Sequence, residues 1–214
     1  MSASKGAAAI GVIIKGLKQA HPDATYELNW TTPLELLVAT IMAAQCTDER
    51  VNQVTRSLFK KYRSAADYAE CDLAELEQDI KAVTFYRNKA KAIQGACKIL
   101  VERFGGKVPK SMDDLLTLPG VARKTANVVL NVAYGLPSGI IVDTHVARAS
   151  KRLGLTRQDK PEKIEQDLMQ LVPESDWTHF GPALVLHGRY VCTASSPKCS
   201  ECMFEAVCEK NGVK

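Results

Sequence analysis

Apolar residues recur along this chain at spacings of three and four, the period that gathers them on one side of a helix. Ile10, Ile13, Ile14 and Leu17 make such a stripe within residues 9–20, and His21-Pro22 closes the run. Thr32-Pro33-Leu34-Glu35 reads as a helix start: Thr32 caps, Pro33 suits a first turn that needs no N–H, and Glu35 completes a capping box. Comparable starts stand at Ser64-Ala65-Ala66-Asp67, Asp72-Leu73-Ala74-Glu75 and Ser111-Met112-Asp113-Asp114. Further helices are predicted over 87–103, ending at Gly105-Gly106, over 122–134, closed by Gly135, over 144–153, closed by Gly154, and over 161–172 and 179–190. Only Gly139-Ile140-Ile141-Val142 invites a brief extended segment.

The fold class expected from this pattern is all-α. Leu34, Leu37, Ile41, Leu58, Ile80, Ile93, Leu100, Leu115, Val128, Val129 and Val132 suffice for one helical core. A second core can be made by the N-terminal helix together with the helices after residue 143. A chain of 214 residues is near the size at which single cores divide, so length leaves one large domain and two lobes both open, and the two apolar sets allow two lobes. Their predicted bounds are 31–142 for one, and 1–30 with 143–214 for the other.

Composition narrows the class further. With 46% hydrophobic and 24% charged residues the chain is neither a polar low-complexity tract nor a bilayer-spanning one, and no membrane contact is expected. Lys15 and Lys18 interrupt any signal-like apolar stretch, so a cytoplasmic, reducing setting is expected. A net charge of +4 suits a polyanionic partner without requiring one. Of seven cysteines, Cys46, Cys71 and Cys97 are scattered, while Cys192, Cys199, Cys202 and Cys208 form C-x6-C-x2-C-x5-C. Four thiols so grouped read as metal ligands, and the spacing alone leaves structural zinc and a 4Fe-4S cluster both open.

Two segments carry candidate chemistry. In Leu118-Pro119-Gly120-Val121-Ala122-Arg123-Lys124-Thr125-Ala126, a Pro-Gly turn delivers the chain into a helix whose first N–H groups suit a phosphate oxygen, with Arg123 beside them. A bare Pro-Gly between helices reads by itself as a packing corner. Lys124 falls in the first turn of that helix, where a cation opposes the dipole; an unprotonated lysine there can attack a sugar carbon and form a Schiff base. Asp143 precedes Thr144-His145-Val146-Ala147-Arg148 and by itself reads as the cap of the helix that follows.

The stretches LPGVARKTANVVL at 118–130 and VDTHV at 142–146, with GKVP at 106–109, LHGRY at 186–190 and the terminal cysteines, resemble the endonuclease III family over nearly the whole chain. The resemblance implies two helical lobes with a DNA cleft, a helix-hairpin-helix element and a C-terminal 4Fe-4S loop, with Cys192, Cys199, Cys202 and Cys208 as ligands. It implies that Lys124 is the nucleophile and Asp143 the catalytic carboxylate of a DNA glycosylase and abasic-site lyase acting on oxidised pyrimidines. Phosphate or base contacts are implied for Gly120, Ala122, Arg123, Thr144, His145, Arg148 and Lys198, with Lys151 and Arg189 as additional candidates. Gln45 matches a residue that enters the DNA helix. Phe85, with Tyr86, matches a wedge into the base stack, although the family commonly has leucine at the position of Phe85. Ala122 stands where the family's hairpin usually has a second glycine.

The implied partner is damaged double-stranded DNA, the location the cytoplasm and its nucleoid, and the state a monomer, since no coiled-coil signal appears. Two other readings compete. A monofunctional adenine glycosylase of the same superfamily commonly lacks the lysine matched by Lys124 and carries a further C-terminal domain. A non-catalytic DNA-binding protein would account for the hairpin and the charge, but not for Gln45, Lys124 and Asp143 together.

Overall fold

The computed structural model describes residues 5–213, and among them the regular structure is helical, with no strand. Residues 1–4, where the expected 1–30 segment begins, and residue 214 lie outside the described residues. The chain runs α1 (Lys5–Ala8), α2 (Ile10–Ala20), α3 (Pro33–Ala43), α4 (Asp48–Lys61), α5 (Ala65–Glu70), α6 (Leu73–Asp79), α7 (Tyr86–Phe104), α8 (Met112–Leu116), α9 (Arg123–Val128), α10 (Thr144–Leu153), α11 (Pro161–Leu171) and α12 (Trp177–Tyr190). Val129–Ala133 continues α9 as a π-helical stretch, and 3-10 turns occupy Glu174–Asp176 and Cys199–Glu201.

The caps explain where the helices begin. Thr32 accepts the Glu35 N–H at 3.2 Å while the Glu35 carboxylate accepts the Thr32 N–H at 3.3 Å, a reciprocal pair that satisfies two otherwise orphaned donors. Ser64 and Asp67 repeat the device at α5. Asp72 does not: its carboxylate accepts from Ala74 N–H, and Glu75 turns outward to pair with Lys61 at 2.8 Å. Substituting such a cap by alanine costs about 0.5–2 kcal/mol.

The hydrophobic pattern does not mark helix α4. Thr47 caps it by accepting the Arg50 N–H, Asp48 and Glu49 stand in the first turn and Lys60 and Lys61 in the last, matching the helix dipole. Its buried side is only Val51, Val54, Thr55 and Leu58, a stripe diluted by polar residues on every other side. The segment Ile140-Ile141-Val142 pairs with no strand and is buried as irregular chain.

The chain divides into two compact units, Met1–Tyr26 with Leu136–Lys214, and Glu27–Gly135. In the second, α3 to α9 enclose a core that includes Leu37, Ile41, Leu58, Ile80, Ile93, Leu100, Leu115 and Val129, with Leu34 packed at its margin. Val128 is buried and Val132 half-buried. In the first unit, Ile13 and Leu17 of α2 join Val146, Ala149, Ile164, Leu168, Phe180, Leu184 and Phe204. Helices α10 and α12 cross closely there: a Cβ at Gly188 would lie 2.9 Å from the Cβ of His145 and 3.0 Å from its carbonyl oxygen. Each fully buried leucine or isoleucine contributes about 1.5–3 kcal/mol, so each unit has ample apolar burial to hold its helices.

Candidate functional site

Within the Glu27–Gly135 unit, α8 and α9 are joined by the Pro119-Gly120 turn. Ser111 starts α8 by accepting the Asp114 N–H at 3.1 Å, and buried Leu115 and Leu118 anchor the corner. Gly120 has φ 76°, a conformation that a side chain strains, and a Cβ there would meet the Ala92 Cβ at 2.8 Å. The Pro119 ring lies 3.3 Å from where a Cβ on Gly95 would be. Ala92 and Gly95, three apart on α7, thus make the seat on which the turn rests. Neither residue was singled out from sequence, because small size on an amphipathic helix carries no signal until the opposing turn is known.

Ala122 is the N-cap of α9, extended at φ −93° and ψ 171°, and its side chain offers no cap. Arg123 and Lys124 are exposed, whereas Ala126, Asn127 and Val128 are buried. Lys124 therefore stands on the outer side of the first turn, behind the Pro-Gly corner.

In the other unit, half-buried Asp143 caps α10. Its Oδ1 accepts the N–H of His145 and that of Val146, each at 2.8 Å, which fixes the carboxylate's rotamer; Oδ2 takes part in neither bond. The Tyr26 hydroxyl is buried without a hydrogen-bond partner. Burial raises the Tyr26 pKa well above its ordinary value, and the charge of Asp143 raises it further. Thr144 is exposed at the helix start. His145 Nδ1 lies 3.1 Å from the Arg148 guanidinium, which also donates to Gly188 O at 2.7 Å and Cys192 O at 3.1 Å. Arg148 thus ties α10 to the end of α12, and Lys151 pairs with Asp159. Lys198 is exposed and Arg189 half-buried.

Gln45 and Phe85, both in the Glu27–Gly135 unit, are exposed and close to one another. The Thr84 hydroxyl, one residue before Phe85, donates to Gln45 O at 2.6 Å. Phe85 is 63% exposed, so it is no part of the core. Tyr86 is half-buried against the unit's core, with the Arg87 guanidinium 4.9 Å from its ring centroid.

The C-terminal cysteines depart from expectation. Cys192, Cys199, Cys202 and Cys208 border one pocket with Arg152 and His187. Yet among the described residues no group of three or more His, Cys, Asp or Glu side chains is arranged to hold a metal ion. The expected 4Fe-4S cluster on these four ligands, and equally zinc, is corrected by that finding: the residues as arranged do not fit it. Three of the thiols hydrogen-bond within the chain, two of them to Arg152. Arg152 donates to Cys192 Sγ at 3.5 Å, Cys202 Sγ accepts the Phe204 N–H at 3.4 Å, and Cys208 Sγ donates to Arg152 O at 3.1 Å. Burial pushes the Cys202 and Cys208 thiols up. The segment is held by Arg152, whose buried guanidinium donates to Thr193 O at 2.6 Å and Ala194 O at 2.9 Å.

Residues 38–174 match the model of the HhH-GPD superfamily of base excision DNA repair proteins. Endonuclease III of Synechocystis is 55% identical over 192 residues, 90% of this chain and 88% of that protein. The chain belongs to the endonuclease III family. Among solved structures, a non-covalent endonuclease III–DNA complex superposes with a TM-score of 0.90 at 44% identity, covering 96% of each chain. A trapped endonuclease III–DNA covalent intermediate gives the same TM-score, 0.90, at 45% identity, covering 96% of this chain and 97% of the other. Within the endonuclease III family frame, α8, the Pro119-Gly120 turn and α9 are the helix-hairpin-helix element. No helix among the described residues is long and apolar enough to cross a membrane.

Proposed function

We propose that the chain is an enzyme of base-excision repair that acts on damaged double-stranded DNA, both as a DNA glycosylase and as an abasic-site lyase. Its proposed substrates are oxidised pyrimidines, thymine glycol among them, together with abasic sites. The damaged nucleotide leaves the base stack, since its sugar is out of reach inside the duplex. Lys124 Nζ, unprotonated, attacks C1′ as the base departs, and opening of the sugar ring yields an imine. The imine acidifies C2′; loss of that proton expels the phosphate from C3′, breaking the strand on its 3′ side, and water then releases Lys124. Asp143 offsets the positive charge that develops at C1′ and takes part in the proton movements.

The observation that carries this reading is Lys124 itself, an exposed lysine with no cap or ion pair to serve, at the start of the hairpin's second helix. The same feature weighs against a monofunctional adenine glycosylase, which has no use for it. Exposure also means that the desolvation an attacking amine needs must come with the bound DNA. Gly120, Ala122 and Arg123 are proposed to hold a phosphate, with Thr144, His145, Arg148 and Lys198 as further DNA contacts. Gln45 and Phe85, with Tyr86 behind, are proposed to fill the gap left by the displaced nucleotide. The chain is proposed to act as a monomer in the cytoplasm. Borohydride trapping on duplexes carrying thymine glycol or an abasic site tests the reading. A covalent complex with both is expected, and excision with neither trapping nor strand scission would return the monofunctional alternative.

A further inference from the structure

Gln45 and Phe85 share an uncommon backbone state. Their φ angles are 54° and 55°, and among the described non-glycine residues only Lys210 joins them at positive φ. Side-chain-bearing residues stay in that region only where their surroundings over-determine it. What surrounds both is Lys89. This α7 lysine is 7% exposed, and its Nζ donates to Met42 O at 2.7 Å and Ala44 O at 2.6 Å and lies 3.4 Å from Thr84 Oγ1. An ammonium has three donors, and here they meet three neutral oxygens. Two of these are carbonyls at the C-terminal end of α3, where the helix dipole favours a cation. The third, the Thr84 hydroxyl, donates onward to Gln45 O at 2.6 Å, and the Lys89 N–H bonds Phe85 O at 3.1 Å. The buried ammonium, with no carboxylate among these partners, therefore ties together the residues that precede the two left-handed turns, Ala44 before Gln45 and Thr84 before Phe85. The Lys89 N–H bond to Phe85 O is the ordinary first bond of α7. Burial of the ammonium is unfavourable and lowers its pKa.

We infer that Lys89 is a positioning residue that holds Gln45 and Phe85 as a single two-pronged probe, and thereby sets how effectively the enzyme opens a duplex at a lesion. The inference rests on the proposal that these two residues enter the DNA. It separates two activities of the one enzyme, because strand scission at an abasic site in single-stranded DNA requires no duplex opening.

Lys89→Met, which keeps the stem and removes the donors, is expected to slow single-turnover excision of thymine glycol from duplex DNA by roughly 10- to 100-fold. Scission of a single-stranded abasic site should change by less than about twofold, and Lys89→Arg should recover most of the duplex rate. The fluorescence rise of a 2-aminopurine placed opposite the lesion, which reports unstacking, should fall in Lys89→Met and return in Lys89→Arg. Equal loss in both activities, or an unchanged duplex rate, overturns the inference. Should Lys89→Met fail to fold by circular dichroism, Thr84→Val carries the test: it removes the tie to Gln45 and must slow duplex excision while sparing the single strand. Gln45→Ala and Phe85→Ala isolate the underlying reading. If both leave duplex excision unchanged, that reading fails and the inference with it; if they slow excision while Lys89→Met does not, the inference alone is overturned.

Discussion

The first turns of α9 and α10 differ in what occupies the helix end. At α10, Asp143 supplies a carboxylate oxygen to two backbone N–H groups at 2.8 Å each, so an acid stands where the dipole favours one. At α9, Ala122 brings no acceptor and the exposed residues that follow in the first turn are Arg123 and Lys124, where the dipole disfavours a cation. Asp143 thus has a complete structural reason to be where it is, and Lys124 has none. A residue that stability does not explain points to chemistry directly. One that stability explains in full can be assigned a second role only by a substitution that preserves the first.

The largest expected effect comes from Lys124→Gln. It should abolish the borohydride-trapped complex while shifting unfolding free energy by less than about 0.5 kcal/mol, as exposed substitutions do. Trapping at the normal level would remove Lys124 from the chemistry, and a large loss of stability would show that the α9 start carries a structural load after all.

Asp143 divides the comparison more finely. Asparagine caps about as well as aspartate, so Asp143→Asn should leave melting nearly unchanged yet slow single-turnover excision by roughly 10²–10⁴-fold. Asp143→Ala should show the same rate loss and in addition lose about 0.5–2 kcal/mol of stability. A rate that falls only in the alanine variant would make Asp143 a cap and nothing more.

Gly120→Ala should cost about 1–3 kcal/mol in chemical denaturation, from positive φ and the 2.8 Å approach to Ala92, and should weaken binding to undamaged duplex. An unaltered midpoint would mean that the turn readily shifts off α7. The smallest effect is expected from Ala122→Gly, which restores the family's usual hairpin residue. Stability should rise by at most about 1 kcal/mol, since glycine is the better N-cap. Affinity for abasic duplex should tighten by no more than about 1 kcal/mol, the worth of one improved hydrogen bond. A loss of affinity would show that the methyl group is itself part of the DNA contact.

Much of the fold was legible because its signals are local. The Thr32–Glu35 and Ser64–Asp67 boxes, the Gly105 and Gly154 ends and the hairpin turn are read from residues within one helical turn, and each acts within that turn. Helix α4 escaped because a thin apolar stripe among charged residues gives weak periodicity. Lys124 and Asp143 were identified by resemblance, and for Asp143 the local rule returned only the cap. Nothing local marks Lys89, since a lysine in a polar stretch gives no sign that its ammonium will be buried.

By itself, then, the sequence determined most of the helical elements with their caps and ends, the two apolar sets that fill the cores, and the motif strings that mark the family. Those depend on neighbours three or four residues away, whose geometry the backbone dictates. Only the tertiary structure decided the contacts between distant segments. Lys89 meets carbonyls 45 and 47 residues earlier, the Pro119-Gly120 turn rests on Ala92 and Gly95, and the four C-terminal thiols border one pocket without forming, among the described residues, a metal-holding group. Hydrogen bonds form or fail over tenths of an ångström, and spacing along a chain does not specify positions in space to that precision.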